Sequence, residues 1–194
     1  AEANASVAVF IGASQVGTVT AVGGNWTYTL TAPQALAEGT YAVTARATDA
    51  AGNDSGLSNT NSFTVDTTAP AAPVVVNPAN GSISNDSTPT VTGTAEVNAQ
   101  VAVFIGATQV GTVSTDVVGN WTYTLTAGQA LADGTYSASA RATDVAGNTG
   151  PASAGNSFTI DSSAPNAAVV VAPANGSRTN DTTPTISGTS DALN

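Results

Sequence analysis

Hydrophobic and polar residues alternate with a period of two along much of this chain. In the segment 121–125, Trp, Tyr and Leu alternate with Thr, and Phe158 and Ile160 flank a Thr in the same way. Between positions 136 and 142, Tyr and Ala occupy one face of a predicted strand, and Ser and Arg occupy the other. Such alternation is typical of antiparallel strands that have one buried and one solvated face. The chain is therefore predicted to be all-β.

Short apolar runs separated by Gly, Asn, Asp and Pro supply further predicted strands. Together with the three segments above they give about seven strands in about 95 residues. This count and spacing indicate an immunoglobulin-like β-sandwich. The additional predicted strands are 74–76, 88–93, 101–105 and 109–113.

The pattern repeats along the chain. Residues 7–12, Val-Ala-Val-Phe-Ile-Gly, recur unchanged at 101–106, an offset of 94 residues that becomes 95 from Trp26 and Trp121 onward. The extra residue falls in the predicted turn before Trp121. A turn tolerates such an insertion, whereas a one-residue shift inside a strand would exchange its two faces. We therefore predict a tandem array of sandwiches.

Two segments that end in proline, 66–70 and 161–165, mark the predicted boundaries between units. Proline ends a strand and stiffens a linker. The predicted organisation is a partial unit at 1–70 without its first two strands, a complete unit at 71–165, and the first two strands of a further unit at 166–194.

A Leu and a Tyr flank a turn before the penultimate strand of each unit. The sequences are Leu-Ala-Asp-Gly-Thr-Tyr at 131–136 and Leu-Ala-Glu-Gly-Thr-Tyr at 36–41. They resemble the tyrosine corner, in which the phenol bonds back to the backbone at the crossover between sheets. Trp26 and Trp121 lie just inside predicted strands and are interpreted as core residues, with ligand stacking as the alternative.

Three motifs together resemble a known repeat class over the entire chain. They are the Asp-x-Thr-Ala-Pro linker, the strand Gly-Asn-Trp-Thr-Tyr-Thr-Leu and the turn Ala-Thr-Asp-x-Ala-Gly-Asn. The combination resembles the bacterial Ig-like repeats of giant secreted adhesins and biofilm-associated surface proteins. This resemblance implies an extracellular or cell-surface location and a role as extender modules, often with calcium at or near the domain junctions. The Gly-Gly-x-Gly-x-Asp nonapeptides of secreted adhesins are absent from the sequence.

Composition argues against catalysis and against anionic partners. The 194 residues include no Cys, His, Met or Lys, so thiol or imidazole nucleophiles, zinc fingers and Schiff bases are excluded. Three Arg against thirteen carboxylates give a net charge of -10, so we expect no nucleic-acid partner. No apolar run approaches the roughly 20 residues that span a bilayer, so no membrane insertion is expected. We predict that the chain is not an enzyme.

Clustered oxygen ligands are the remaining site chemistry, and they suit Ca²⁺. In an Ig-like sandwich, the loop after the second strand and the loop before the last strand share the end nearest the preceding domain. The linker between units reaches the same end, so the sequence predicts calcium sites at the junctions. The predicted ligands are Asp66, Glu96, Asp144 and Asn148 at the first junction, and Asp161, Asp191 and Asp86 at the second.

These acidic segments have a structural alternative. Asp-x-Ala-Gly-Asn is also a hairpin turn, in which Asp bonds nearby backbone N–H groups and Gly or Asn takes the left-handed conformation. The Asn-Asp pairs at 85–86 and 180–181 are turn formers of a similar kind. The sequence leaves both interpretations open.

Three functions follow from the sequence. The leading one is a non-catalytic stalk of an extracellular adhesin or matrix fibre, with neighbouring repeats of the same chain as partners. The second has identical chains as partners: residues 166–194 of one copy complete residues 1–70 of the next in a head-to-tail filament, unless the sequence is a window on a longer continuous array. The third is a carbohydrate-binding accessory module, which requires exposed aromatic residues on one face.

Overall fold

A computed structural model describes residues 1–191 of the chain. Within these residues it contains fifteen strands and two short 3-10 turns, Ala32–Gln34 and Ala127–Gln129. The strands are β1 (Ser6–Ile11), β2 (Ser14–Thr20), β3 (Gly39–Thr48), β4 (Asn61–Val65), β5 (Val74–Asn77), β6 (Ser82–Ser84), β7 (Thr90–Thr94), β8 (Gln100–Ile105), β9 (Thr108–Ser114), β10 (Asn120–Thr124), β11 (Gly134–Thr143), β12 (Thr149–Ala152), β13 (Asn156–Ile160), β14 (Val169–Ala172) and β15 (Ser187–Thr189).

Strands β5 to β13 form a two-sheet sandwich, which confirms the predicted Ig-like fold. One sheet has the order β10-β7-β5, and the other has the order β6-β13-β11-β8-β9 with β12 beside β11. All pairs are antiparallel except β6 with β13, which is parallel. The sequence pattern did not predict β6 or β12, because β6 has only three residues, Ser-Ile-Ser, and β12 reads Thr-Gly-Pro-Ala without a large apolar residue.

The core of this sandwich lies between the two sheets. Val91 from one sheet and Val103 and Phe158 from the other are almost completely buried. Trp121 is 2% exposed and pairs across the sheet with Gly93. A Cβ atom at Gly93 would lie 2.5 Å from the indole Cζ2, so the ring occupies the space above this glycine. The prediction that Trp121 is a core residue is confirmed.

The tyrosine corner is present in both units. The Tyr136 hydroxyl donates a hydrogen bond to the carbonyl oxygen of Ala132 at 3.0 Å, and Tyr41 donates to Ala37 at 2.9 Å. In each case the phenol fixes the turn that enters the long strand, β11 or β3. The prediction from the Leu-x-x-Gly-Thr-Tyr motif is confirmed.

Outside the central sandwich, the chain forms a single sheet before it and a hairpin after it. Strands β1 to β4 make one four-stranded sheet in the order β2-β1-β3-β4, equivalent to β9-β8-β11-β13 of the sandwich. Strands β14 and β15 pair with each other. Within residues 1–191, no second β-sheet covers the four-stranded sheet.

Candidate functional site at the unit junction

Three loops lie at one end of the sandwich, and two of them, after β7 and β11, lie beside the linker 66–70. The three loops follow β7, β9 and β11 in turn. The first two are joined by hydrogen bonds: the Thr115 hydroxyl donates to the Glu96 carbonyl at 2.8 Å, and the Ala95 amide donates to the Gly119 carbonyl at 2.9 Å. Glu96 lines a groove with Asp66, and Asn148 bonds Asp66, so the loops of Glu96 and Asp144 both lie at the end nearest the linker.

The linker is held against the third loop by direct contacts. The Asn148 side-chain amide donates to the carbonyl oxygen of Asp66 at 3.0 Å and to Oδ2 of Asp144 at 2.9 Å. Pro70, at the end of the linker, is buried. Its carbonyl oxygen lies so close to Gly150 that a Cβ atom there would be only 2.1 Å away. The linker thus contacts the second unit at both of its ends, Asp66 and Pro70.

Asp144 forms its hydrogen bonds inside its own loop. Its Oδ1 accepts the backbone N–H of Asn148 at 2.8 Å, and the carboxylate is buried. Burial raises the pKa of the Asp144 carboxyl, but the hydrogen bonds from the Asn148 side chain and backbone outweigh it and leave the pKa below its usual value. The geometry is that of the hairpin turn given above as the structural alternative.

The same Asp-x-x-Gly-Asn turn occurs twice more. Asp116 accepts the N–H groups of Val118 at 2.9 Å and Asn120 at 2.8 Å, and the bond from the Asn120 backbone is the main cause of its lowered pKa. The Asn53 side chain bonds Asp49 at 2.8 Å and is the main cause of the lowered pKa of that carboxyl. The sequence analysis did not predict a turn of this type at 116–120, although its Asp, Gly and Asn have the same spacing as those in 49–53 and 144–148.

A groove of about 430 Å³ between the two units collects three carboxylates, Glu38, Asp66 and Glu96. The Thr68 hydroxyl donates to Glu38 at 2.6 Å, and its amide donates to Oδ1 of Asp66 at 3.0 Å. The hydroxyl bond is the main cause of the lowered pKa of the Glu38 carboxyl. The sequence analysis did not identify Glu38 as a site residue. The signal that could have identified it is the second acidic residue, Asp133, at the equivalent position of the next repeat.

At the opposite end of the sandwich, Asp161 lies beside the turn that contains Asp86. The Asp161 amide donates to the carbonyl oxygen of Ser84 at 2.9 Å. Asp86 accepts the Thr88 amide at 2.8 Å within its own turn. The structure therefore brings Asp86 and Asp161 to one end, and calcium binding by them stays a prediction.

The remaining predicted ligand, Asp191, bonds to the residue that follows the second linker, Asn166. It accepts the Asn166 amide at 2.6 Å. Asp133 bonds this linker itself: it accepts the Ser162 amide at 2.8 Å and the Ser163 hydroxyl at 2.7 Å, and the hydroxyl of Ser162 is the main cause of its lowered pKa. Each junction thus pairs a carboxylate just before the long strand, β3 or β11, with a hydroxyl of the following linker.

The chemistry of these groups suits calcium, but they do not form a coordination shell. Carboxylate, amide and carbonyl oxygens are the ligands that Ca²⁺ takes in proteins. Among residues 1–191, no three acidic side chains are positioned to share one metal ion. Most of the predicted ligands instead accept hydrogen bonds from their own turns or linkers. Calcium binding would require the side chains that line the groove to converge further.

Comparison with known proteins identifies the family. A family model described as bacterial Ig-like domain matches residues 1–67 and 77–162. No curated protein matches the chain. Among residues 1–191, no helix has the length and apolar character required to cross a membrane.

Several solved structures are similar in fold. Fibronectin(III)-like modules of Clostridium thermocellum CbhA align over 82% of this chain and 80% of that one, with a TM-score of 0.50 and 15% identity. A tetra-tandem repeat from the extending region of a large adhesion protein aligns over 86% of this chain and 44% of that one, with a TM-score of 0.38 and 23% identity. A Ca²⁺-stabilized adhesin that helps an Antarctic bacterium bind ice aligns over 86% and 42%, with a TM-score of 0.39 and 26% identity. The chain spans less than half the length of these two adhesin structures. By the family match over most of its length, the chain belongs to the bacterial Ig-like domain family.

Proposed function

We propose that this chain is a non-catalytic extender segment of an extracellular bacterial adhesin or matrix fibre, which holds a distal adhesive region away from the cell. The observation that supports it most directly is the position of the two linkers on the central sandwich. The first linker contacts the end that carries Asp144, and the second leaves the end that carries Asp133. Because the chain enters a unit at one end and leaves at the other, each added unit lengthens the array.

The separation of the two ends follows from strand β11, which joins them. Its ten residues correspond to about 30 Å at about 3.3 Å per residue. With its loops, each unit adds roughly 35–45 Å to an array. A chain that enters and leaves a unit at opposite ends gains this full length for every repeat.

Extension also requires a junction that resists bending. The contacts of Asn148 with Asp66, and of Gly150 with Pro70, hold the first linker against the second unit. A linker without such contacts behaves as a flexible coil, whose end-to-end distance grows only with the square root of its length. The docked linker therefore favours a rod over a string of loosely tethered domains.

The surface charge suits exposure to the medium. A net charge of -10 without a single Lys keeps neighbouring rods apart and soluble. This agrees with an extracellular location and with a role that needs no anionic partner.

Calcium is the ligand we propose for stiffening the junction further. The groove between the units presents Glu38, Asp66 and Glu96, which come from two consecutive units. An ion shared by both sides would oppose bending, and extracellular calcium modules bind at about 10⁻⁴–10⁻³ M. The calcium proposal is supported by the carboxylate oxygens that line the groove.

Small-angle X-ray scattering tests the extender function. The chain is compared with a longer chain in which residues 71–165 are duplicated after Pro165, both extrapolated to infinite dilution. We expect the duplication to increase the maximum dimension by roughly 35–45 Å and to preserve the scattering profile of a rod. A smaller increase, or a profile typical of flexibly linked beads, would reject the proposal. A chain with 95 Gly and Ser residues inserted at the same place is the control.

A further inference from the structure

The outer face of the sheet β6-β13-β11-β8-β9 carries an unpaired cation, Arg141. This residue lies on β11 between the buried residues Ala140 and Ala142, and its side chain is exposed. All thirteen carboxylates of the chain lie outside the strands, in turns, loops and linkers. Within residues 1–191, no acidic side chain lies within ion-pair distance of Arg141. A positive charge therefore faces the solvent on a chain whose net charge is -10.

The equivalent residue of the first unit, Arg46, has a carboxylate partner. Its Nη1 lies 3.3 Å from Oδ2 of Asp54. Asp54 also accepts a hydrogen bond from the Thr48 hydroxyl at 2.6 Å. In the central unit the position of Asp54 is taken by Thr149, whose hydroxyl lies 3.0 Å from that of Thr143. The central unit thus keeps the side-chain hydrogen bond of this pair and lacks its negative charge.

The guanidinium of Arg141 is held in place by the backbone. Its Nε donates to the carbonyl oxygen of Gly150 at 2.8 Å. Gly150 is itself buried, and the linker residue Pro70 packs directly against it. The two terminal nitrogens then remain for a ligand, and they suit a carboxylate bound through both of its oxygens. Because the group is already oriented, less conformational entropy is lost on binding.

The neighbouring strands leave room beside Arg141. Ala102 pairs with Arg141 on one side and with Thr112 on the other, so a methyl group lies between two longer side chains. Phe104 follows on the same face, two positions along β8 and about 7 Å from Ala102. Its ring is partly exposed, whereas Val103 between them is buried on the opposite face.

Polar groups surround the ring of Phe104. On its two sides it pairs with Ser139 of β11 and Gln109 of β9. The Gln109 side chain is exposed, and its Nε2 donates to the Thr112 hydroxyl at 3.1 Å, so its Oε1 is available as an acceptor. We call this area the Arg141 surface; it consists of Ala102, Phe104, Gln109, Thr112, Ser139 and Arg141.

The groups of the Arg141 surface match the chemistry of a sugar acid. A guanidinium binds a carboxylate with two parallel hydrogen bonds. The C–H groups of a sugar ring pack on the face of an aromatic ring, which is apolar and negatively polarised. Hydroxyl and amide side chains both donate to and accept from sugar hydroxyls. An apolar surface with a few placed polar groups is typical of sites for small molecules.

We propose that the Arg141 surface binds a saccharide that carries a carboxylate. The carboxylate lies on the Arg141 guanidinium, the adjoining sugar ring lies on Phe104, and Thr112 and Gln109 bond the sugar hydroxyls. The net charge of -10 repels a long polyanion, so the ligand has isolated carboxylates among neutral sugars. The proposal goes beyond the extender function, because it assigns a ligand to the side of a unit.

A titration followed by heteronuclear NMR tests the site on the chain of 194 residues. The probe is cellobiuronate, a glucuronic acid joined to glucose, and cellobiose is the neutral comparison. We expect cellobiuronate to shift the Nε–H signal of Arg141 and the amide signals of Ala102 and Phe104. Cellobiose should bind about tenfold more weakly or worse, because it cannot form the charge-assisted bonds. Equal affinities for the two sugars, or no shift with either, would overturn the proposal.

The variant Thr149→Asp tests the role of the free charge while Arg141 stays in place. It restores the carboxylate that Asp54 provides in the first unit, so it should pair with Arg141 and weaken cellobiuronate binding about tenfold or more. Thr149→Asn is the matched control: it has a similar size without the charge and should bind as the unmodified chain does. Unchanged binding in Thr149→Asp, or equal weakening in both variants, would overturn the proposal.

The variant Phe104→Leu tests whether the ligand is a saccharide. It keeps an apolar side chain but removes the aromatic ring, so it should weaken cellobiuronate binding about threefold. Phe10→Leu, at the equivalent position of the first unit, should leave the affinity unchanged. Acetate, which supplies the carboxylate alone, should bind more weakly than cellobiuronate and be insensitive to Phe104→Leu. Acetate bound as tightly as cellobiuronate, or an unchanged affinity in Phe104→Leu, would overturn the assignment of a saccharide.

Discussion

The side-chain amide of Asn148 donates a hydrogen bond to the backbone carbonyl of Asp66, 82 positions earlier in the chain and in the linker from the preceding unit. The same amide donates to the carboxylate of Asp144 within its own loop. One side chain thus couples the turn at the end of the sandwich to the incoming chain. Asn53, the equivalent residue of the first unit, bonds Asp49 in the same way.

Asn148→Ala should loosen the first junction. The substitution removes the bond to Asp66 together with the bond to Asp144, at a cost of about 1 kcal/mol per hydrogen bond. Spin labels placed on either side of the junction, measured by pulsed electron resonance, should show a broader distance distribution. Asn53→Ala removes only the bond to Asp49 and should leave the distribution unchanged. Equal broadening in both variants would contradict the role of the Asp66 contact.

Gly150→Ala should displace the linker. The added Cβ atom would lie 2.1 Å from the Pro70 carbonyl oxygen, so the backbone of one segment has to move. Overpacking of this kind costs about 1–3 kcal/mol of unfolding free energy, measured by urea denaturation. Gly128→Ala is the control, since a Cβ atom there meets no atom within 4 Å and the effect should stay within about 0.5 kcal/mol. A Gly150→Ala variant as stable as the control would argue against a closely packed linker.

Calcium should raise the melting temperature of the chain relative to chelator, if the groove with Glu38, Asp66 and Glu96 binds it. At a concentration tenfold above the dissociation constant, one site adds roughly 1.4 kcal/mol. Glu96→Gln should reduce the calcium-dependent shift. Glu2→Gln changes the equivalent residue of the first unit and should not reduce it. Identical melts in millimolar calcium and in chelator would reject calcium binding at the junction.

Stability should decrease in acid. Hydrogen bonds lower the folded-state pKa values of Asp49, Asp116 and Asp144 below their usual values, despite the opposing effect of burial. The unfolded chain then binds more protons between the two sets of pKa values, so the stabilisation is fully present above the ordinary Asp pKa of about 3.9. It is lost as the pH falls from there through the lower folded-state values.

Urea denaturation at a series of pH values between neutral and strongly acidic measures this dependence. The variant Asp116→Asn removes one of the contributing carboxyls and should show a shallower loss of stability in acid than the unmodified chain. An unchanged pH dependence in this variant would contradict the contribution of the 116–120 turn.

Much of the fold is predictable from local pattern. The alternation in 121–125 places Trp121 in the core, because a period of two sends every second side chain to the same face. The Leu-x-x-Gly-Thr-Tyr motif predicts the bond from Tyr136 to Ala132 because both partners belong to one turn. The Asp-x-Ala-Gly-Asn motif predicts a hairpin turn for the same reason.

Contacts between segments that are distant along the chain were harder to predict from the sequence. Ser82–Ser84 becomes a strand because β13 lies beside it, and its three residues are too few for their alternation to predict one. Glu38 belongs to the junction groove because the chain doubles back through β3 and β4 before it reaches Thr68. The assignment of Asp66 to the junction was predictable from its position in the linker, whereas the bond from Asn148 to its backbone carbonyl was not.

The repeated sequence alone predicts the faces of the alternating strands and the equivalence of the units, because these depend on side-chain period and on local turns. It also shows that 185–189 and 90–94 have the same order of apolar and polar residues. Which surfaces are closed and which are open depends on the packing of whole sheets. Trp121 is buried against Gly93, 28 positions earlier in the chain, because β7 and β10 pair across that distance.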